Sequence, residues 1–272
     1  MGSYKFSNEK IKVFKGDILK PDTLDSFMED VSTLIHCAGE TKEEVLMEQV
    51  NVVGTKNLLG ESRKNLIHWI QLSSIGVYGI RKFEFYNEKE KPSPKNKYEK
   101  SKYESDMSVI SESEKRNFKY TILRPSVVVS TLNENSVFFK LSNSIKKNYF
   151  FYVRSKHSYF HFIDINTLTN SIVKAVQIGG NNKTYNISDN ILAAKFVSVF
   201  TNKNFFTIPK YILYFFTLLF SKFKWWPISN DSLDFLSSGV NFDCKLIERD
   251  LQIKIESSFE EYLNVIKKDN LE

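Results

Sequence analysis

The chain has 272 residues, 42% of them hydrophobic and 26% charged, with ten Gly and six Pro. That composition excludes disordered, collagen-like and low-complexity classes, and the length suits one large domain or a domain with a smaller appendage. Two cysteines, Cys37 and Cys244, and four histidines exclude a disulfide framework and zinc-ribbon spacing and point to a reducing compartment. The formal net charge of +6 rests on lysines spread from Lys5 to Lys268 without a dense block, which argues against nucleic acid as a partner.

In chain order, residues 1–7 lack the apolar core of a secretory signal. Residues 11–14 read as a strand ended by Gly16-Asp17, and 21–28 as a short helix with Pro21 at its start. Residues 33–38 are predicted as a buried strand, and 43–63 as a helix with Val45, Leu46, Val50, Val53 and Leu58 apolar. A strand at 67–72, a Lys- and Glu-rich polar loop at 82–97, a long helix at 98–115 and a strand at 120–123 stopped by Arg124-Pro125 continue the alternation. Strands alternating with crossover helices predict an α/β fold with a parallel sheet covered on both faces.

Beyond Pro125 the chain is aromatic-rich. Helices are expected at 136–147, 165–178, 193–201, 209–223 and 259–268, and strands at 159–162 and 184–187. This second region, 131–272, is expected to form a smaller, mostly helical lobe with some segments returning to the main sheet. The most apolar charge-free run, 211–221, is well short of the ~20 residues that a spanning helix needs.

Three tyrosines precede a lysine by four positions: Tyr78 with Lys82, Tyr98 with Lys102, and Tyr152 with Lys156. Only Tyr98 opens a long helix, where it shares a face with Lys102, and only Tyr98 follows a Ser pair, Ser73-Ser74, at the end of a strand. In open α/β sheets, ligands bind outside the carboxyl ends of the strands. Moving a tyrosine pKa from ~10 to ~7 takes about 4 kcal/mol. One ammonium at ~4 Å and an effective dielectric of ~20 supplies roughly that. The expectation is therefore that Lys102 activates Tyr98 as a base, with Ser74 hydrogen-bonding the reacting hydroxyl or ketone.

Further segments occur in order with this pair. They are Gly16-Asp-Ile, Leu-Ile-His-Cys-Ala-Gly at 34–39, Asn-Val-Val-Gly-Thr at 51–55, Ser-Ser-Ile-Gly-Val-Tyr-Gly at 73–79, Leu-Arg-Pro at 123–125, Phe-His-Phe-Ile-Asp at 160–164 and Tyr-Asn-Ile at 185–187. Together the chain resembles the extended short-chain dehydrogenase/reductase family, and more narrowly its nucleotide-sugar epimerase/dehydratase branch. The resemblance implies a Rossmann-like fold, with residues 1–130 as the NAD(P)-binding region and 131–272 as the substrate lobe. It implies NAD or NADP as cofactor and no metal. It makes Ser74, Tyr98 and Lys102 catalytic. It sets Asp17 and Ile18 beside the adenine, Cys37, Ala38 and Gly39 along the dinucleotide, and Pro125 and Ser126 near the nicotinamide. Asn51 matches a helix Asn beside the cofactor site, where a structural role serves equally well. The implied substrate is a nucleotide-linked or polyprenyl-linked sugar, the implied assembly a homodimer, and the expected location cytoplasmic.

Two departures from the family pattern stand out. Its opening strand, Gly-x-x-Gly-x-x-Gly turn and second strand, which bring the pyrophosphate onto a helix N-terminus, have no counterpart in the sequence. Tyr4 to Phe14 looks like the run into the family's third strand. Val127, Val129 and Ser130 stand where Asn, Tyr and Gly are common. A non-catalytic member that does not bind dinucleotide, and a steroid-type or flavonoid-type reductase, are the competing readings. Residues 205–226, aromatic and flanked by lysines, read either as an interfacial helix at the inner face of a membrane or as a lobe helix packed on the core. His36, His68, His157 and His161 are read as structural.

Overall fold

The computed structural model describes residues 10–62, 65–79, 85–130, 137–223 and 229–255, with Phe259 and Leu263. Tyr4, Lys82, Ser136, Trp226 and most of the helix expected at 259–268 lie outside the described residues. In chain order the strands are β1 (Thr33–His36), β2 (His68–Leu72), β3 (Phe85–Tyr86), β4 (Lys119–Pro125), β5 (Val127–Val129), β6 (Tyr152–Val153), β7 (Tyr159–Asp164), β8 (Lys183–Ile187), β9 (Asp189–Leu192), β10 (Thr207–Ile208) and β11 (Asn241–Phe242). The helices are α1 (Asp25–Met28), α2 (Glu44–Met47), α3 (Gly54–Glu61), α4 (Lys97–Arg116), α5 (Val137–Lys146), α6 (Ile165–Ile178), α7 (Ala193–Phe200), α8 (Lys210–Phe220), α9 (Asn230–Leu236) and α10 (Lys245–Leu251).

The main sheet is parallel throughout and has the order β1-β2-β4-β8. Neighbouring β2 residues point to opposite faces, and both are buried. Trp69 packs with Leu58, Leu59, Val109 and Phe118 on the α3 and α4 side, and Ile70 with Leu123, Leu168, Tyr185 and Ile247 on the α6 and α10 side. Helices on both faces explain why the strands read as continuous apolar runs instead of alternating ones. The strand at 183–187, beyond the first lobe in sequence, closes one side of this sheet.

Four elements differ from the sequence reading. Residues 11–14 form no strand, and Ile11, Val13 and Phe14 are exposed; they meet no ladder among the described residues, and an extended segment without a partner has nothing to fix it. The strand expected over 33–38 ends at His36 and is buried on one face only. Among the described strands it lies at the edge of the sheet, and Ile35 is 44% exposed. The helix at 43–63 contains a π-helical turn, Glu48–Val53. The polar loop at 82–97 contains β3, because Tyr86 turns inward onto Tyr78 and Phe242 while the chain pairs with β11.

The second lobe contains more sheet than its helical pattern suggested. Its strands β5, β7 and β9 form a mixed sheet, with β5 parallel and β9 antiparallel to β7. Against this sheet Phe138, Phe160, Phe162, Phe196 and Phe259, all fully buried, stack or meet edge to face at 5.1–6.4 Å between centroids. Each such pair adds to plain area burial. We expect Phe162→Ala to lower the unfolding free energy by about 3–5 kcal/mol, read from urea denaturation.

Candidate active site

Because β1, β2 and β4 run parallel, their carboxyl ends lie along one edge of the sheet. Cys37, Ala38 and Gly39 follow β1, Ser73 and Ser74 follow β2, and Pro125 and Ser126 end β4. The helix α4 crosses behind this edge. Its start is fixed by a capping box in which Asn96 accepts from the Glu99 N–H and Glu99 from the Asn96 N–H. That box sets Tyr98 in the first turn and Lys102 one turn later on the same face.

Ser74 has neighbours on two sides. Its Oγ accepts from Gly76 N at 3.0 Å, capping the short 3-10 helix Ile75–Tyr78, and on its other side it lies close enough to Tyr98 to oppose the rise in that residue's pKa. The 3-10 helix ends at Gly79 with φ of 58°, where a Cβ would meet the Ser93 carbonyl oxygen at 2.0 Å, so only glycine fits. Lys102 is buried, and its Nζ donates to the Leu72 carbonyl at the end of β2. A Cβ on Gly39 would come within 3.8 Å of Lys102 Nζ and 3.2 Å of Asn51 Oδ1. The structure thus brings Ser74, Tyr98, Lys102 and Gly39 together. It leaves Tyr78, whose hydroxyl faces Arg124, and Tyr152, in β6, apart from them.

Burial raises the Tyr98 pKa above the ordinary tyrosine value; Ser74 opposes the shift, while Asp106 and Glu99 add to it. The Lys102 ammonium donates to Leu72 O, and burial lowers the Lys102 pKa.

Asn51 is buried and fully engaged. Its Oδ1 accepts from Glu40 N, and its Nδ2 donates to Glu40 O and to Ser101 Oγ, clamping the Gly39-Glu40 turn onto α4. One turn further, Thr55 Oγ1 bonds Ser105 Oγ and His36 Nε2 at 2.9 Å each. Asp17 and Ile18 lie on the outer side of β1. Asp17 Oδ1 accepts from Leu19 N, Ile18 O accepts from Asn57 Nδ2, and the Ile18 side chain fills the space a Cβ on Gly54 would need. Phe14, Ile18, Phe27, Ile35 and Cys37 line an open groove of about 220 Å³ there.

The reading from sequence missed a buried polar chain beneath the site. Asp106, with no exposure, accepts from Ser73 Oγ at 2.8 Å and pairs with Arg124 at 3.2 Å. Arg124 donates to the Tyr78 hydroxyl, which donates to Asn186 Oδ1. The signals were present: Asp106 follows Lys102 by one helical turn, and Arg124 and Tyr78 lie inside the quoted motifs. Burial pushes the Asp106 carboxyl up, with Arg124 opposing. Among the described residues no His, Cys, Asp and Glu cluster suits a metal.

Two features fit the nicotinamide-ribose end of a dinucleotide: the cramped Gly39 backbone beside Lys102, and the buried Ser126 Oγ, which has no hydrogen-bond partner among the described residues. The sequence holds no Gly-rich turn for the pyrophosphate, so no residue is assigned to it.

The profile of the NAD dependent epimerase/dehydratase family matches residues 2–188. Among solved structures, a UDP-glucose 4-epimerase with UDP-glucose from Thermotoga maritima is similar at 17% identity and TM-score 0.72, over 95% of this chain and 85% of that one. A UDP-glucuronic acid 4-epimerase from Bacillus cereus in complex with NAD aligns at 17% identity and TM-score 0.68, over 91% of this chain and 76% of that one. RMD from Pseudomonas aeruginosa, complexed with NADPH, aligns at 16% identity and TM-score 0.68, over 94% and 87%. At these identities the likeness shows the fold, a Rossmann-type α/β architecture. No curated protein sequence matches the chain.

Removing the Asp106 carboxylate would strand Arg124 in the interior, so Asp106→Ala should cost about 3–5 kcal/mol of stability in urea unfolding. His36 and His161 have pKa values lowered from 6.5 to about 4, by burial first, with Lys102 adding to the shift at His36. Below pH 6.5 the unfolded chain takes up protons that these rings refuse. Stability should hold above about pH 6.5 and fall as pH drops towards 4, and His161→Gln should flatten part of that slope.

Proposed function

The chain belongs to the NAD-dependent epimerase/dehydratase family, and from that premise we propose that it epimerises, reduces or dehydrates a nucleotide-linked or polyprenyl-linked sugar. One observation carries the reading: Ser74, Tyr98 and Lys102 lie at the carboxyl edge of the sheet, with Ser74 held by Gly76 N, Lys102 by the Leu72 carbonyl, and Tyr98 set in the first turn of α4 by the Asn96–Glu99 capping box. NAD(P), when bound, supplies the hydride acceptor and donor. Lys102, the Gly39 backbone, Pro125 and Ser126 would hold its nicotinamide-ribose end, and Asp17 and Ile18 its adenine. Tyr98 would act as the phenolate, which Lys102 stabilises once its ammonium leaves the Leu72 carbonyl. It takes the proton from a sugar hydroxyl that Ser74 orients and becomes the neutral phenol as the hydride leaves the sugar carbon. The same proposal assigns residues 1–130 to cofactor and 131–272 to substrate. It includes a homodimer through the outer faces of α3 and α4 and the π-helical turn, where Val53 and Met107 are each 44% exposed, and a cytoplasmic location.

The non-catalytic reading has one observation in its favour. The adenine side of the site opens onto an edge strand, with Ile35 and Cys37 exposed. Calorimetric titration with NADH and NADPH, together with turnover on UDP- and dTDP-sugars, decides between the two. Saturable dinucleotide binding is expected, with Tyr98→Phe binding normally but turning over about 10²–10⁴-fold more slowly. No binding by the unsubstituted chain, or full turnover by Tyr98→Phe, would sink the enzymatic reading.

A further inference from the structure

The helix α8 buries only Leu213 and Thr217, one turn apart on a single face. Its opposite face carries Tyr211, Phe215, Leu218 and Leu219, which are 74%, 58%, 79% and 50% exposed and spaced as one helical stripe. Phe216 and, just past the helix, Phe223 widen the stripe, and Phe206 ahead of the helix is 66% exposed. A helix lying on a protein in water turns polar residues outward. This one turns aromatic and aliphatic residues outward, and a contiguous apolar patch of that kind marks an interaction surface. α8 packs on the lobe through Leu213 and Tyr214, against Val153, Leu233 and Leu236, and leaves its other side outward.

The charge around the stripe selects the partner. Between Asp189 and Asp231 the sequence has no acidic residue, while it carries Lys195, Lys203, Lys210, Lys222 and Lys224. Of these, Lys210 is paired with Asp234, while Lys203 and Lys222 are exposed. Lys222 follows Leu218 and Leu219 on the outward side. A second copy meeting this face isologously would set like charges against each other. An anionic bilayer surface accepts both parts, with rings and aliphatic groups at the acyl boundary and lysines at the phosphates. At 11 residues, α8 is about 16 Å long, too short to cross a hydrocarbon core of about 30 Å. Among the described residues no helix is long and apolar enough to cross a membrane.

We propose that α8 docks the protein on an anionic lipid surface, lying in its plane with Tyr211, Phe215, Leu218 and Leu219 inserted and the lysines against the headgroups. This does not depend on the enzymatic reading. The test is co-sedimentation of the full chain with vesicles of phosphatidylcholine alone and of phosphatidylcholine with phosphatidylglycerol, at low and high salt. Binding to the anionic vesicles, weakened by salt, is expected. The double variant Tyr211→Glu, Leu218→Glu changes two exposed side chains, and with unaltered circular dichroism it should bind about tenfold more weakly or worse. A separate Lys222→Glu variant should also bind more weakly. The proposal is overturned if the unsubstituted chain stays in solution with anionic vesicles, or if the folded double variant sediments as well as the unsubstituted chain. It is equally overturned if light scattering shows the stripe buried in a dimer that ignores vesicles.

Discussion

A carboxylate removed entirely from water persists only where fixed charge and hydrogen bonds replace its lost hydration. Asp106 is in that position: its Oδ2 is served by Ser73 beyond β2 and Arg124 on β4, while its Oδ1 has no hydrogen-bond partner among the described residues. Arg124 in turn reaches Tyr78 and, through it, Asn186 on β8. One polar chain therefore spans three strands of the main sheet and fixes the rotation of α4 about its own axis. Lys102 and Tyr98 lie one and two turns earlier on that face and inherit their aim from it. The site is held by a constraint beneath it rather than by contacts within it.

Burial raises the Tyr98 pKa above the ordinary tyrosine value, with Ser74 opposing, and Lys102 donates to the Leu72 carbonyl. Both groups lie at the carboxyl edge of the sheet, and a base step there draws on charge brought close to the phenol.

Much of the architecture was legible because periodicity survives burial: the strands expected at 67–72 and 120–123 and the helices expected at 98–115 and 165–178 are β2, β4, α4 and α6. The Tyr98-Lys102 pair was legible because a long helix and a preceding Ser pair singled it out from two other pairs. What was hidden lay in relations between distant segments. Asp106 sits in a helix rich in Lys, Glu and Ser, where one more acid looks solvated until Arg124 is set beside it. Residues 11–14 have strand chemistry but meet no ladder among the described residues. The outward face of α8 could not be told from an inward one, since both sides of that helix are apolar and only its packing separates them.

The two hydroxyl rungs between the π-helical turn with α3 and helix α4, Asn51 to Ser101 and Thr55 to Ser105, repeat every four residues on both partners. Apolar seams tolerate slippage, since one methyl group replaces another. These rungs do not: a slide of one turn along α4 would face Thr55 with Val109 and strand a hydroxyl in a dry interface. The pair behaves as a keyed coupling with a single seating. Through it, the Gly39-Glu40 turn and the Lys102 ammonium keep a fixed spacing although they belong to segments some sixty residues apart.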